Sequence, residues 1–114
     1  MVLTVEQEAI SPEVTVLHVR GRLALGRDCQ SLENTIRDLK SSGVKSLILD
    51  ASGLEYIDSA GLGVLAMSMA MMRGVGGGFR LAAPSERVVE ALKITQLDKI
   101  IPVSKDIESA QKEL

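Results

Sequence analysis

Aromatic residues are scarce in this chain of 114 residues, and Phe, Trp and Tyr together make up 2% of it. The core must therefore be built from aliphatic side chains and methionine, and a hydrophobic content of 46% is enough for that. Few aromatic side chains also leave few surfaces on which bases could stack, which argues against single-stranded nucleic-acid binding. The net charge is −2, and Lys and Arg form no basic patch, so the sequence predicts no nucleic-acid partner.

Cysteine and histidine are each present once, as Cys29 and His18. A single thiol cannot form an internal disulfide, and neither residue belongs to a metal-binding spacing. We expect Cys29 to be a core residue and His18 to be a structural or surface residue. Ser-His-Asp sets, paired-carboxylate motifs and HExxH motifs are missing too. The sequence therefore predicts no catalytic residue, no metal site and no cofactor, and the protein is not expected to be an enzyme.

Long apolar runs are also missing. The most apolar stretch, Leu62 to Met72, has eleven residues, whereas a membrane-spanning helix needs about 20. The first residues, Met1 to Glu6, do not combine a charged segment with a long apolar run, so no secretory signal is visible. We expect a single domain over residues 1–114, located in the cytoplasm and without membrane insertion.

Strand and helix patterns alternate along the chain in the order β-β-α-β-α-β-α-β-α. The predicted strands are Val2–Gln7, Val14–Arg20, Lys45–Ala51, Phe79–Ala83 and Ile100–Val103. The predicted helices are Arg27–Ser41, one from Asp58 or Ser59 to about Arg73, one opened by Pro84-Ser85, and one capped by Ser104. Loops are expected at Gly21–Gly26 and Ser52–Ile57, and a glycine-rich turn is expected at Gly74–Gly78. The last strand is expected at an edge of the sheet because it contains Pro102.

The order of these elements predicts the fold class. The turn at Ser11-Pro12-Glu13 between the first two strands favours an antiparallel hairpin. The later strands alternate with helices, which favours parallel strands joined by crossovers. The sequence therefore predicts an α/β fold with a mixed sheet, made of an N-terminal hairpin followed by parallel strands, and about four helices.

Ser59 is the strongest candidate for a functional residue, because it is expected at a helix N-terminus that follows a strand and a loop. In one interpretation it only caps the helix by accepting a backbone hydrogen bond, and capping serines are common. In the other, its exposed hydroxyl accepts a phosphoryl group, whose charge of about −1.5 to −2 the helix dipole tolerates. Asp58 precedes it and is expected to be a cap itself. The residues alone leave both interpretations open.

The helix after Ser59 is apolar almost all round. Gly61 and Gly63 lower its helix propensity by about 1 kcal/mol each relative to Ala, and close approach of another backbone is the simplest reason for them. Its methionines are either covered by neighbouring elements or form an exposed docking surface that adapts to a partner. The partner-binding residues predicted from this segment are Asp58, Ser59, Ala60, Gly61, Leu62, Gly63, Met67 and Met71.

The same glycines allow a third interpretation, a nucleotide-binding module, since Gly61 to Ala66 match G-x-G-x-x-A. That fingerprint needs its first glycine in the tight turn directly after a strand. Here about ten residues separate Asp50, the end of the predicted apolar strand, from Gly61. The match is therefore weak support for a nucleotide site.

The segment from Asp50 to Gly63, DASGLEYIDSAGLG, resembles the signature of the anti-sigma-factor antagonists of the STAS domain family. The resemblance extends over nearly the whole chain. Gly21-Arg22-Leu23 is similar to the family's Gly-x-Leu after its second strand, and Leu97 to Leu114 is similar to its final strand and helix. It implies a mixed sheet backed by helices, in agreement with the order of elements described above.

The resemblance also implies a function. Members of the family bind an anti-sigma factor that is also an ATP-dependent serine protein kinase, and thereby release the sigma factor. Phosphorylation of the serine in the Asp-Ser-x-Gly motif, which corresponds to Ser59, ends this binding, and a metal-dependent serine phosphatase restores it. The chain is thus expected to be an anti-sigma-factor antagonist in transcription regulation, with that kinase and phosphatase as partners.

Two positions depart from the family's pattern. Many members carry Asp directly after Gly-x-Leu, where this chain has Ala24, and many carry Gly where Gln96 stands. Ala24 removes a carboxylate that could take part in phosphorylation or in partner contact. The alternative is a STAS scaffold, or a subunit of a lipid-transport complex, that is not phosphorylated, because a shared fold does not settle function.

Overall fold

The computed structural model describes residues 2–114, and within them it has five strands and four helices. The strands are β1 (Thr4–Ser11), β2 (Val14–Leu23), β3 (Ser46–Ile57), β4 (Phe79–Ala82) and β5 (Val103–Ser104). The helices are α1 (Arg27–Ser41), α2 (Ser59–Gly74), α3 (Glu86–Ile94) and α4 (Ile107–Glu113), and a 3₁₀ turn at Leu97–Lys99 precedes β5. The predicted class and order of elements are confirmed, and α1 has the predicted bounds.

The strands form a single sheet in chain order, β1-β2-β3-β4-β5. β1 and β2 are antiparallel, because only a short turn separates them, and every later pair is parallel. Strands β2 and β3 are buried on both faces, at Val16 and Leu17 and at Ile48 and Leu49. β5 follows Pro102 and lies at the edge, as predicted. The mixed sheet, with a hairpin first and parallel strands after it, is confirmed.

The sheet separates two apolar layers, because successive side chains of a strand point to opposite faces. The larger layer contains Leu17 and Leu49 and is completed by apolar side chains of α1, α2 and α3. Cys29 of α1 belongs to it and is 8% exposed, as expected for a core residue. The smaller layer lies on the other face, where Val16 and Ile48 pack against α4. Helix α2 therefore lies on the face with the larger core.

β3 is longer than the sequence predicts. Ser52–Ile57, predicted as a loop, is strand, and so is Gly21–Leu23 at the end of β2. The pairing with β2 skips one residue of β3 at two places. The first lies between the pairs His18↔Asp50 and Arg20↔Gly53, and the second lies between the pairs Gly21↔Leu54 and Arg22↔Tyr56. These two bulges space the buried residues Ala51, Leu54 and Ile57 three apart. Strand prediction relies on a spacing of two, so this part of β3 was missed.

The last strand and the cap of the last helix also differ from the prediction. Residues 100–102 of the predicted strand Ile100–Val103 are irregular and follow the 3₁₀ segment, and β5 has only two residues. Ser104 is not the cap of α4, because it is buried in β5 and its hydroxyl donates to the Glu113 carboxylate at 2.5 Å. The cap is Asp106, whose carboxylate accepts a hydrogen bond from the Ser109 N–H at 2.7 Å.

The first strand begins and ends later in the chain than predicted. It was predicted over Val2–Gln7 and is observed over Thr4–Ser11, with an irregular register between Ala9 and Ser11. In the described part of the chain, no helix combines the length and the apolar character needed to cross a membrane.

Candidate partner-binding site at the start of α2

Asp58 is the N-cap of α2. Its backbone is extended, and its Oδ1 accepts a hydrogen bond from the Gly61 N–H at 2.9 Å. A side-chain oxygen in this position satisfies one of the backbone donors that a helix N-terminus leaves without an intrahelical partner. Of the two residues that could have capped the helix, the structure assigns the role to Asp58.

Ser59 is the first residue of α2, and it is exposed. Because Asp58 supplies the cap, the Ser59 hydroxyl is not required to stabilise the helix terminus. Among residues 2–114, no side-chain or backbone group forms a hydrogen bond with that hydroxyl. The hydroxyl is therefore open to a reagent that approaches from solvent.

Three contacts attach the start of α2 to the end of β2 and to the loop that follows it. The Asp58 N–H donates to the Leu23 carbonyl at 3.3 Å, and Asp58 Oδ2 accepts from the Leu25 N–H at 2.9 Å. Gly61 lies so close to the same carbonyl that a Cβ atom on Gly61 would be 2.5 Å from the Leu23 oxygen. The predicted close approach of another backbone is confirmed for Gly61. These contacts fix Ser59 relative to the loop between β2 and α1.

Gly63, two residues further on, has a different environment. It is exposed, and a Cβ atom placed on it would have no heavy atom within 4 Å. The expectation of a close backbone contact is therefore wrong at this position. Of the other predicted residues of the first turn, Ala60 is half-buried, whereas Gly61 is buried and Leu62 is 5% exposed.

The close contact at Gly61 also bears on the nucleotide interpretation. Gly61 lies in the first turn of α2, and the space that a phosphate would need beside it is occupied by the Leu23 carbonyl and the Ile57 side chain. The glycine thus serves the contact between α2 and the sheet. This argues against a dinucleotide fingerprint at Gly61.

The methionines of α2 are mostly covered. Met69 and Met72 are buried, whereas Met67 and Met71 are half-buried and pack against the larger core. On the α1 side, the Arg37 guanidinium lies 3.7 Å from the Met67 sulfur. Coverage by neighbouring elements therefore explains most of the apolar character of α2, and Met67 and Met71 retain a part of their surface for contact.

The charge at this site comes from Asp58. Backbone N–H groups, that of Leu25 first and that of Gly61 second, hold the pKa of Asp58 below its ordinary value, so the carboxylate is ionised at neutral pH. Burial raises the pKa of the Cys29 thiol, and the negative charge of Asp58 adds to this effect. A thiol that stays protonated is a poor nucleophile. The group that the site presents to solvent is therefore a serine hydroxyl next to a carboxylate.

Leu25 is part of this surface, and sequence analysis predicts nothing for it. Leu25 is 82% exposed, while its backbone N–H donates to the Asp58 carboxylate. Ala24, at the position where many family members have Asp, is half-buried beside it. The sequence signal that could have pointed to Leu25 is a large apolar residue in a short loop. The link to Asp58, 33 residues away, follows only from the arrangement of β2 and β3.

Comparisons with known proteins agree with this architecture. The STAS domain family matches residues 7–110 of the chain. A candidate anti-sigma factor antagonist of Thermotoga neapolitana is 38% identical over 74 residues, which are 65% of this chain and 66% of that relative. The alignment thus spans about two thirds of the curated relative's length.

Solved structures show the same fold. The crystal structure of a candidate anti-sigma factor antagonist from Thermotoga maritima has a TM-score of 0.87 and 27% identity, covering 96% of this chain and 92% of that one. The Bacillus cell fate determinant SpoIIAA, solved in its phosphorylated form, has a TM-score of 0.75 and 19% identity, covering 97% and 100%. That second likeness concerns the fold alone. Since the family matches nearly the whole chain, the protein belongs to the STAS domain family.

Proposed function

We propose that the protein is an anti-sigma-factor antagonist that sequesters an anti-sigma factor with serine kinase activity and loses this binding when Ser59 is phosphorylated. The observation that carries the proposal is the exposed Ser59 hydroxyl beside a cap that Asp58 already supplies. The names of the relatives in the family support the role. A metal-dependent serine phosphatase would restore binding by removing the phosphate.

The proposed contact surface lies on the solvent side of α2. Ser59 and Gly63 are exposed there, and the missing side chain of Gly63 would let a partner approach the helix backbone. Met67 and Met71 would extend the surface along the helix. The remaining predicted residues would shape or support it rather than dominate it: Asp58, Ala60, Gly61 and Leu62.

Phosphorylation at Ser59 would change the surface and leave the fold intact. The phosphate adds a charge of about −1.5 to −2 at a helix N-terminus, where the dipole tolerates it. The Gly61 N–H is already engaged by Asp58, whose ionised carboxylate lies next to Ser59. The phosphate would therefore project into solvent. A partner that packs on a neutral Ser59 would have to desolvate this charge, which weakens binding.

One observation favours a second candidate, a STAS scaffold or lipid-transport subunit that is not phosphorylated. At Ala24 the loop beside Ser59 lacks the carboxylate that many family members have, and the next residue, Leu25, exposes an apolar side chain. In that case assembly would depend on apolar contact, and substitutions of Ser59 would hardly affect it.

Phosphorylation in vitro separates the two candidates. The protein is incubated with ATP and the anti-sigma kinase of its source organism, and the modified residue is identified by mass spectrometry. We expect a single phosphoryl group on Ser59 and none on Ser59→Ala. The matched control is Ser41→Ala, which removes an exposed hydroxyl at the C-terminal end of α1 and should be phosphorylated like the wild type. Phosphate on another residue would reject the switch and favour the scaffold. So would the absence of phosphate on the protein when the kinase is shown to be active by autophosphorylation.

A further inference from the structure

Three strands place the single histidine between two carboxylates on the sheet face opposite α2. The Nδ1 atom of His18, on β2, is 2.7 Å from Oδ2 of Asp50 on β3. Its Nε2 atom is 2.8 Å from Oε1 of Glu8 on β1. Glu8, His18 and Asp50 form the His18 cluster, which connects the edge strand β1 to β3 through one side chain.

The two contacts determine the charge of His18. An ionised carboxylate only accepts hydrogen bonds, so each ring nitrogen must carry a proton to form both contacts, and an imidazole with two N–H groups is a cation. The hydrogen bonds, to Asp50 first and to Glu8 second, raise the pKa of His18 above its ordinary value, although burial opposes them. For Asp50, burial is the largest effect and raises the pKa, but the hydrogen bonds from His18 and Ser52 outweigh it and leave the pKa lowered.

The two partners hold the ring unequally. The Asp50 side chain is 14% exposed, and its Oδ1 also accepts the Ser52 N–H at 3.0 Å. The Glu8 side chain is 63% exposed and belongs to an edge strand. When the ring loses a proton, Nδ1 should therefore keep its proton and its hydrogen bond to Asp50. The proton that leaves should be the one on Nε2. Nε2 then presents a lone pair to the Glu8 carboxylate, and a hydrogen bond becomes a repulsion between two acceptors.

The other charged groups near the cluster have partners of their own. Glu6, which is opposite His18 on β1, pairs with Arg20 at 2.6 Å. Helix α4 covers the neighbouring part of this face with Ala110 and Ile107, which are apolar. Its charged side chains form the pairs Glu108–Lys112 and Glu113–Arg80. None of these pairs bridges β1 to β3 as His18 does.

We propose that His18 is a pH-dependent link that attaches the edge strand β1 to the centre of the sheet while the ring is protonated, and releases Glu8 when the ring is neutral. The pKa of His18 is raised by folding, so the stability from this link is complete below the ordinary pKa of 6.5 and is lost as the pH rises through the raised pKa. The cluster and α2 lie on opposite faces of the sheet, so the link does not depend on Ser59.

A titration followed by nuclear magnetic resonance tests the protonation scheme. As the only histidine among the 114 residues, His18 gives one set of imidazole signals. We expect a midpoint above 6.5 and a neutral ring whose ¹⁵N shifts show the proton on Nδ1. Asp50→Asn should lower the midpoint more than Glu8→Gln does. A midpoint at or below the ordinary value, or a neutral ring protonated on Nε2, would overturn the proposal.

Hydrogen exchange tests whether the link holds β1. The measured quantity is the protection of amide groups in Gln7 to Ala9 relative to those in β4, below and above the His18 midpoint. We expect this ratio to fall in the wild type as the pH rises. In Glu8→Gln the side-chain amide can donate to the neutral Nε2, so the fall should disappear. A ratio in the wild type that does not change across the titration would overturn the proposal, provided that circular dichroism shows the chain folded throughout.

Discussion

The two glycines near the start of α2 are two residues apart and have opposite environments. Gly61 is buried against the Leu23 carbonyl and the Ile57 side chain, so that even a methyl group would collide there. Gly63 is exposed and has no neighbour within 4 Å of the position of a Cβ atom. The same residue type is thus required by the fold at one position and is free of structural constraint at the other.

This contrast separates the two sides of the helix. The buried side, with Gly61 and Leu62, attaches α2 to β2 and determines where the helix lies. The exposed side, with Ser59 and Gly63, contributes little to stability and presents a hydroxyl and a bare stretch of backbone. Changes on the buried side should therefore reduce stability, whereas changes on the exposed side should alter partner binding while the fold is retained.

The largest expected effect on stability is that of Gly61→Ala. The added methyl group would lie 2.5 Å from the Leu23 oxygen, and overpacking of this kind costs about 1–3 kcal/mol. Urea denaturation followed by circular dichroism would measure the loss. An unchanged midpoint would show that α2 can shift away from β2 without loss of stability. It would contradict the claim that the fold requires glycine at position 61 but not at position 63.

Asp58→Ala should have the next largest effect, because it removes both the helix cap and the contact with the Leu25 N–H. Loss of a cap costs about 0.5–2 kcal/mol. Asp58→Asn is the matched control, since Asn is also a good cap but cannot accept two hydrogen bonds through two equivalent oxygens. It should lose less stability than the alanine variant. Equal losses in the two variants would mean that the cap is not the stabilising contact.

The ionisation of Asp58 adds a pH dependence to this prediction. Folding lowers its pKa, so its contribution to stability is present above the ordinary value of 3.8 and disappears as the pH falls through the lowered pKa. In acid titrations of stability, Asp58→Asn should lack this part of the decline. A wild type and an Asp58→Asn variant with identical acid profiles would contradict the account of the cap.

The smallest expected effect, and one of opposite sign, is that of Gly63→Ala. The methyl group meets no neighbour, and alanine in a helix is favoured over glycine by about 0.5–1 kcal/mol. The variant should therefore be more stable than the wild type in thermal melts. If the exposed side of α2 binds a partner as proposed, the same methyl group should weaken that binding. Lower stability would indicate a contact at Gly63 that the structure does not contain.

The sequence was sufficient for the order of elements and the bounds of α1, because these follow from regular apolar spacing. It was also sufficient for the sheet type, which follows from the turn between the first two strands and from the alternation of the later strands with helices. It was not sufficient for Ser52–Ile57, where two bulges change the spacing of buried residues from two to three. It also assigned one explanation to both Gly61 and Gly63. Only the position of the Leu23 carbonyl distinguishes these two glycines.

For the candidate site, the sequence identified Asp58 and Ser59 through the helix start and through the family motif. It predicted a cap at Asp58, which is confirmed, but it also kept Ser59 as a possible cap, because the choice between them depends on the direction of one carboxylate. Three hydrogen-bonded contacts that join distant segments were not predicted. Asp58 meets Leu25, and His18 meets Asp50 and Glu8, because neighbouring strands bring together residues that are far apart in the chain.

The central claim is that a neutral, exposed Ser59 is needed for partner binding and a charged one prevents it. Calorimetry with the anti-sigma kinase can compare Ser59→Asp with Ser59→Asn, which has nearly the same shape without the charge, with thermal melts confirming that both are folded. We expect Ser59→Asp to bind at least about tenfold more weakly, which corresponds to about 1.4 kcal/mol, and Ser59→Asn to bind much as the wild type does. Equal affinities of the two variants would contradict the claim.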